Sequence, residues 1–323
     1  MQAVISRHAA ARLFLVLFLV LFLAMFLAMS FARAQPARVG MDRPTVAVIK
    51  SRNFVQYNAV VSGFEAALRE THPAAIFLVF ELENGKVSAK LASRVDAAAP
   101  VLVFTLGVPA AQLAQEHLAD LPMVFALVLD PASSGIQSPG VTMAVSPGVR
   151  LDACARLFPG GTHGVIYSGK SLEAYGSMAE ACRQRGIKLV ARQVDSLEAF
   201  PSAFKDLCEK TDFFIMLADS SLYFPKSVEF LLREALGRKV AVCGLGAPYT
   251  RAGALISIEG DYRDMGAQAG EIGGRILMGK ANDMGRIVAP RKQFVSLNLV
   301  VARRLELHIP AEMREQADKL FGK

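Results

Sequence analysis

Two doubly wound parallel-sheet lobes of the α/β class, Rossmann-like and joined by a hinge, are what this sequence predicts. Three observations predict it. From residue 44 onward, short continuous apolar runs alternate with amphipathic stretches, the pattern of buried parallel strands covered by helices. The alternation comes as two series, separated by the turn-rich segment Asp130–Gly140. A chain of 323 residues, at about 150 residues per domain, holds two lobes large enough to close over their own cores.

Composition closes off several classes. With 53% hydrophobic and 20% charged residues, 25 Gly and 15 Pro, the chain is neither disordered nor collagen-like, and four cysteines do not make a disulfide-dense miniprotein. The mean hydropathy of +0.34 owes much to the N-terminus. There Arg7, His8 and Arg12 precede an unbroken apolar run, Leu13–Met29, followed by Ser30-Phe31-Ala32-Arg33-Ala34-Gln35. This reads as a secretory signal peptide over residues 1–34, with small residues before the cut, and it predicts a periplasmic protein. The apolar run of 17 residues also suits an uncleaved anchor. Without residues 1–34 the chain keeps 33 basic and 29 acidic residues, a net charge of +4. They are scattered, so the pI near 9.3 makes no case for nucleic acid.

Each element follows in order. Pro44–Ile49 is a buried-strand run, and Tyr57–Arg69 puts Val60, Val61, Phe64, Ala67 and Leu68 on one helical face. The unit repeats as strand Ala75–Phe80 with helix Val87–Ala97, strand Val101–Leu106 with helix Ala110–His117, and strand Met123–Leu127. Past the turn-rich segment, Val141–Val145 is extended and Val149–Leu157 helical. The second series runs as strand Gly164–Tyr167, helix Leu172–Arg185, strand Ile187–Arg192, helix Phe200–Glu209, strand Phe213–Leu217, helix Lys226–Leu236 and strand Val240–Cys243. Strand Gly253–Gly260, helix Tyr262–Met278, strand Phe294–Val300 and helix Ala311–Leu320 complete it.

In open α/β sheets ligands bind beyond the carboxyl ends of the strands, so the residues there are the candidates. After the first three strands come Asn53 and Phe54, then Asn84, then Thr105-Leu106-Gly107-Val108-Pro109-Ala110. In the last of these, Gly107 permits close backbone approach and Pro109 suits a first helical turn, so the N–H groups that follow can hold a carboxylate. Asp130 follows the fourth strand, and Tyr167-Ser168 and Asp219-Ser220 end strands of the second series. Asp219 is the candidate partner of a ligand cation, because an acid beyond a buried strand is costly alone; an N-cap with Ser220 and Ser221 is the plainer role. Phe54, Tyr167, Tyr223 and Phe224 are of a kind to stack on an apolar ligand or to fill the core.

Chemistry is hard to find. GxSxG, HExxH and GxxxxGK[ST] are absent, and His72, His117, His163 and His308 are scattered. Cys154, Cys182, Cys208 and Cys243 show neither CxxC nor zinc spacing; in an oxidising compartment three pairings are open to them, and buried free thiols suit their helical surroundings equally. No catalytic residue, metal or cofactor is expected.

Several stretches together resemble a known family. They are Thr105–Gln112, Leu121–Pro131, Gly253-Ala254-Leu255 with Tyr262–Leu277 and Gly279, and Asn298-Leu299 with Ala302 and Ile309-Pro310. The chain is similar over residues 44–313 to the ABC-transporter substrate-binding proteins that include tryptophan- and tyrosine-binding members, with the type I periplasmic-binding-protein fold. The resemblance implies a monomeric receptor that closes two lobes on a small amino acid or related carboxylate and delivers it to an ABC permease. A sensory module reporting occupancy to a membrane receptor kinase is the alternative. It implies that Thr105, Gly107 and Ala110 hold the carboxylate, that Asp130 shapes the cleft floor, and that Asp219 with Ser220 faces the amine. Where the family often has Asn-Thr-Gly, Tyr-Asn-Pro and Asp-Asn, this chain has Val141-Thr142-Met143, Tyr167-Ser168-Gly169 and Asp219-Ser220. It also implies discontinuous lobes, residues 44–129 with 250–278 and residues 145–243 with 286–323, crossed at 130–144, 244–249 and 279–285.

Overall fold

The computed structural model describes residues 43–219, 221–280 and 287–322. The expected leader, Ser220, residues 281–285 of the expected third crossing and residue 286 lie outside the described residues.

The first series forms β1 (Thr45–Lys50), α1 (Val55–Thr71), β2 (Ile76–Glu81), α2 (Ala89–Ala97), β3 (Leu102–Leu106), α3 (Val108–His117), β4 (Met123–Val128) and β5 (Gly140–Thr142). With the two-residue β11 (Ile287–Val288) these strands make one six-stranded sheet in the order β11-β5-β4-β3-β1-β2. All its pairings are parallel. Such a sheet needs cover on both faces, which is why β1, β3 and β4 are mostly apolar and buried, with Thr105 the one polar residue inside β3. Phe64 of α1 stacks on Phe104 of β3, ring centroids 3.8 Å apart.

The second series forms α4 (Pro147–Leu157), β6 (His163–Tyr167), α5 (Leu172–Gln184), β7 (Leu189–Gln193), α6 (Phe200–Cys208), β8 (Phe213–Ile215), α7 (Pro225–Gly237), β9 (Ala241–Gly244), α8 (Ala247–Ala252) and β10 (Ile256–Gly260). After α9 (Tyr262–Leu277) come β12 (Gln293–Asn298), α10 (Leu299–Arg304), α11 (Ala311–Gln316) and β13 (Lys319–Phe321). The second sheet has the order β13-β12-β10-β9-β8-β6-β7, parallel except where β12 runs against β10. Pro109, Pro147, Pro201, Pro225 and Pro248 each stand in a first helical turn, where a missing N–H costs nothing.

The path between the sheets differs from the expected one in three places. First, β5 still belongs to the first sheet, so the chain leaves it after Thr142 and not at Asp130. Second, residues 244–249 are no crossing: they start α8, which returns the chain to the same sheet as β10, and Glu259 of β10 accepts the Ala247 N–H at 2.9 Å. Residues 250–260 therefore lie with the second sheet, and the crossing comes at Asp261. Immediately afterwards α9 docks on α1 of the first lobe through backbone contact. A Cβ at Gly63 would strike the Arg263 carbonyl and one at Gly266 the Val60 carbonyl. Third, the chain visits the first sheet once more at β11 and crosses back through Ala289–Lys292. Arg291 there pairs with Asp264 and Glu271 of α9.

The expected helix Ala311–Leu320 stops at Gln316 because residues 319–321 pair with β12 as an edge strand, and Asp318 accepts the Val295 N–H. Tertiary pairing overrides local preference here.

Candidate functional site

At the carboxyl edge of the first sheet, Ser51 ties two strand ends together. Its N–H donates to Leu106 O at 3.0 Å, and its Oγ accepts the Ala110 N–H at 3.0 Å. Gly107, with φ 84°, has no room for a side chain: a Cβ would lie 2.9 Å from Tyr57 Oη and 3.0 Å from Ser51 Oγ. Phe54 sits edge-on to Tyr57, ring centroids 6.0 Å apart. Phe54, Gln56, Tyr57, Leu127, Met143 and Tyr262 line a pocket of about 370 Å³. Met143 and Tyr262 stand beside two of the three crossings, and with Tyr57 and Leu127 they pack on the core of the first lobe. Leu127 adopts φ 59° at a register shift between β4 and β5.

Both phenols of this pocket keep their protons. Burial pushes Tyr57 up against the pull of the Arg52 charge. Burial and the Glu259 carboxylate, to which Tyr262 Oη donates at 2.9 Å, push Tyr262 up.

The expected carboxylate cradle is largely spent. Thr105 is fully buried and its Oγ1 donates to Val124 O at 3.4 Å; the Ala110 N–H is taken by Ser51. Asp130 caps its own turn by accepting the Ser133 N–H at 3.0 Å. Asn53, exposed at the mouth of the first edge, accepts a long bond from Lys50 Nζ at 3.4 Å. Asn84 is exposed at φ 54° in the short turn after β2.

At the edge of the second sheet the structure joins Ser168 and Asp219, 51 residues apart in sequence. Asp219 Oδ2 accepts Ser168 Oγ and Ser171 Oγ at 2.6 Å each, and Oδ1 accepts the Ser221 N–H and hydroxyl. Four hydrogen bonds fill the acceptor positions of a carboxylate, so no lone pair is left for the ligand amine the resemblance assigned to it. Burial pushes Asp219 up, but these bonds outweigh it and hold the carboxyl below its ordinary range. Tyr167 stacks on Tyr175 at 4.0 Å and belongs to the core of this lobe.

Sequence reasoning missed Arg150 as a site residue. It lies on α4, only 7% exposed, and its Nη2 reaches Gly244 O at 3.3 Å, Cys243 O at 3.5 Å and Cys243 Sγ at 3.6 Å. Its Nε and the Tyr223 hydroxyl are buried without a hydrogen-bond partner among the described residues. Burial and the Asp219 charge push Tyr223 up while the Arg150 charge pulls it down; Asp219 and Tyr223 follow β8, and Arg150 reaches Gly244 at the end of the adjacent β9. Cys154, Cys182, Cys208 and Cys243 are all buried and unbridged. The Cys154 thiol and the Arg150 charge hold Cys243 below the ordinary thiol range, while burial raises Cys154. A signal for Arg150 did exist, since it stands at i, i+4 and i+7 with Cys154 and Leu157 on the apolar face of α4. Tyr57 and Tyr262, also missed, stand in the first turns of α1 and α9, the helices that follow β1 and β10.

The family model described as ABC transporter substrate binding protein matches residues 46–321. A tyrosine-binding protein of Clostridioides difficile is 22% identical over 193 residues, covering 56% of this chain and 55% of the relative. The match thus spans about half the length of that curated relative. Among solved structures, the ligand-free, open form of a Clostridium difficile substrate-binding protein with adhesive properties superposes with a TM-score of 0.74 at 19% identity, over 87% of this chain and all of that one. A Streptococcus pneumonia ABC domain in complex with L-Trp gives a TM-score of 0.61 at 17% identity, over 86% of this chain and 100% of that one. Likenesses at such identities carry the fold.

Proposed function

This chain belongs to the ABC transporter substrate-binding protein family, and from that premise we propose that it is the extracytoplasmic solute receptor of an ABC importer. It captures a small amino acid or related carboxylate between its lobes and delivers it to a membrane permease as a monomer. The leader, residues 1–34, directs export. Capture needs no bond-making: closure of the lobes exchanges water for many weak contacts and presents a closed shape to the permease.

The observation that carries this reading is the pocket beside two of the crossings. Phe54, Tyr57 and Tyr262 give it aromatic walls, Leu127 and Met143 an apolar floor, and its volume of about 370 Å³ is in the range of small-ligand sites. Residues beside two crossings line it, so a ligand there touches the segments that bend. A rigid aromatic body suits such walls.

A thermal-shift screen of the purified protein tests the proposal, using aromatic and aliphatic amino acids, aromatic acids, nucleosides, sugars and vitamins. A cognate ligand at 100 times its dissociation constant stabilises by about 2.7 kcal/mol. An aromatic amino acid or acid is expected to give the largest shift. A folded protein that none of the panel stabilises would overturn the reading.

A further inference from the structure

Arg150 is the most heavily buried cation of the second lobe's cleft edge, and it is poorly provided for. None of the ion pairs among the described residues includes it. Its contacts to Gly244 O, Cys243 O and Cys243 Sγ, at 3.3, 3.5 and 3.6 Å, are at the weak end of hydrogen bonding, and its Nε has no partner. A guanidinium is always charged, so burying it with no carboxylate in contact and only the Cys243 sulfur beside it, at 3.6 Å, is costly. Ordinary cores avoid that cost. Nearby, the buried Tyr223 hydroxyl is also without a partner, and it keeps its proton to donate.

We propose that Arg150 and Tyr223 together hold the carboxylate of the captured solute, so that the anion is bound by the second lobe and not by the Thr105–Ala110 turn of the first. The inference rests on the solute-receptor reading above and specifies the ligand's chemical class. Three features favour this chemistry. Both unpartnered groups are donors, which a planar two-oxygen anion matches. Arg150 Nη2 reaches the carboxyl end of β9 at Gly244, and Tyr223 lies in the segment that follows β8, on the edge where an α/β sheet binds ligands. The third feature is Asp219, already ionised in the same neighbourhood and held by its own hydroxyls. A single additional negative charge balances Arg150, whereas a phosphate dianion would face Asp219 uncompensated. The cleft then has a division of labour in which the first lobe grips the ligand body and the second reads its charge.

Two measurements on the full chain test this. In the first, ligand-free wild type, Arg150→Met and Arg150→Lys are melted in sodium acetate and in sodium chloride at equal ionic strength. Acetate is expected to raise the melting temperature of wild type above its value in chloride and to lose that effect in Arg150→Met. Equal responses of the two proteins would overturn the proposal. So would a loss of stability in Arg150→Met that Cys243→Ala reproduces, because the Cys243 thiolate would then be the partner of Arg150. In the second, calorimetry compares L-tyrosine with L-tyrosinamide and 4-hydroxyphenylacetate with tyramine. Only the two acids are expected to bind, with affinity falling about tenfold or more in Arg150→Lys, which keeps the charge but loses the fork, and less in Tyr223→Phe. Tight binding of tyramine or of a neutral sugar that is indifferent to Arg150 would leave a solute receptor but overturn the carboxylate site. An acetate effect specific to wild type, with no solute of the wider screen binding, would instead retain the anion site and remove the receptor reading.

Discussion

The two sheets present edges of the same topology to the cleft but of opposite chemistry. At the first, the polar groups are spent on holding strand ends together: Ser51 bridges to Leu106 and Ala110, and Thr105 bonds the next strand. What lines the pocket there is mostly ring and hydrocarbon, from Phe54, Tyr57, Tyr262, Leu127 and Met143, with Gln56 the one amide. At the second, a carboxylate is wrapped in three serine hydroxyls, and a buried guanidinium and a buried phenol are left with donors to spare. Identical folding rules thus yield one edge that offers shape and another that offers charge. The cause lies in the residues following each strand, which the fold leaves free to vary.

The contrast is broken most sharply at Asp219. Asp219→Ala removes an acceptor of four hydrogen bonds and strands the buried Ser168 and Ser171 hydroxyls, at an expected cost of about 3 kcal/mol in urea denaturation. Stability should also depend on acidity through this residue. Its folded-state value is below the unfolded one, so its stabilisation is complete above about pH 3.9 and is lost as pH falls through the folded value. Asp219→Asn should flatten that acid limb. The matching change at the first edge, Ser51→Ala, removes one accepted bond and should cost about 1 kcal/mol. Equal costs for the two substitutions would mean that the second edge is no more built around charge than the first.

Much of this could be read from the chain before any coordinates. Continuous apolar runs marked the strands because a sheet covered on both faces leaves few polar positions, and the strand ends put Ser168 and Asp219, which the structure joins by a hydrogen bond, into one list. The crossings could not be read, since Gly244-Leu245-Gly246 is as good a helix start as it is a hinge. Whether β10 stays with β9 is decided by pairing and by the Glu259 bond to Ala247. Arg150 escaped because a lone arginine in a helix usually snorkels to solvent; only its place on the apolar face of α4 argued otherwise. The spent state of Ala110 depends on the orientation of Ser51, 59 residues before it, and that of Thr105 on Val124 of the neighbouring strand; no local pattern encodes either.

The smallest expected effect on stability sharpens the contrast from the other side. Phe54 is 52% exposed and occupies the N-cap position of α1 without a capping hydrogen bond, so neither the core nor the helix end depends on its ring. Phe54→Ala should change stability by no more than about 0.5 kcal/mol. One wall of the pocket goes with the ring, however, and an aromatic contact to a ligand is worth about 0.5–1.5 kcal/mol. Calorimetry should therefore find affinity for the best ligand of the screen reduced about threefold to tenfold, with Arg150 still required for its carboxylate. If Phe54→Ala instead destabilised the fold while leaving affinity untouched, the aromatic wall would be scaffold, and recognition would belong to the second edge alone.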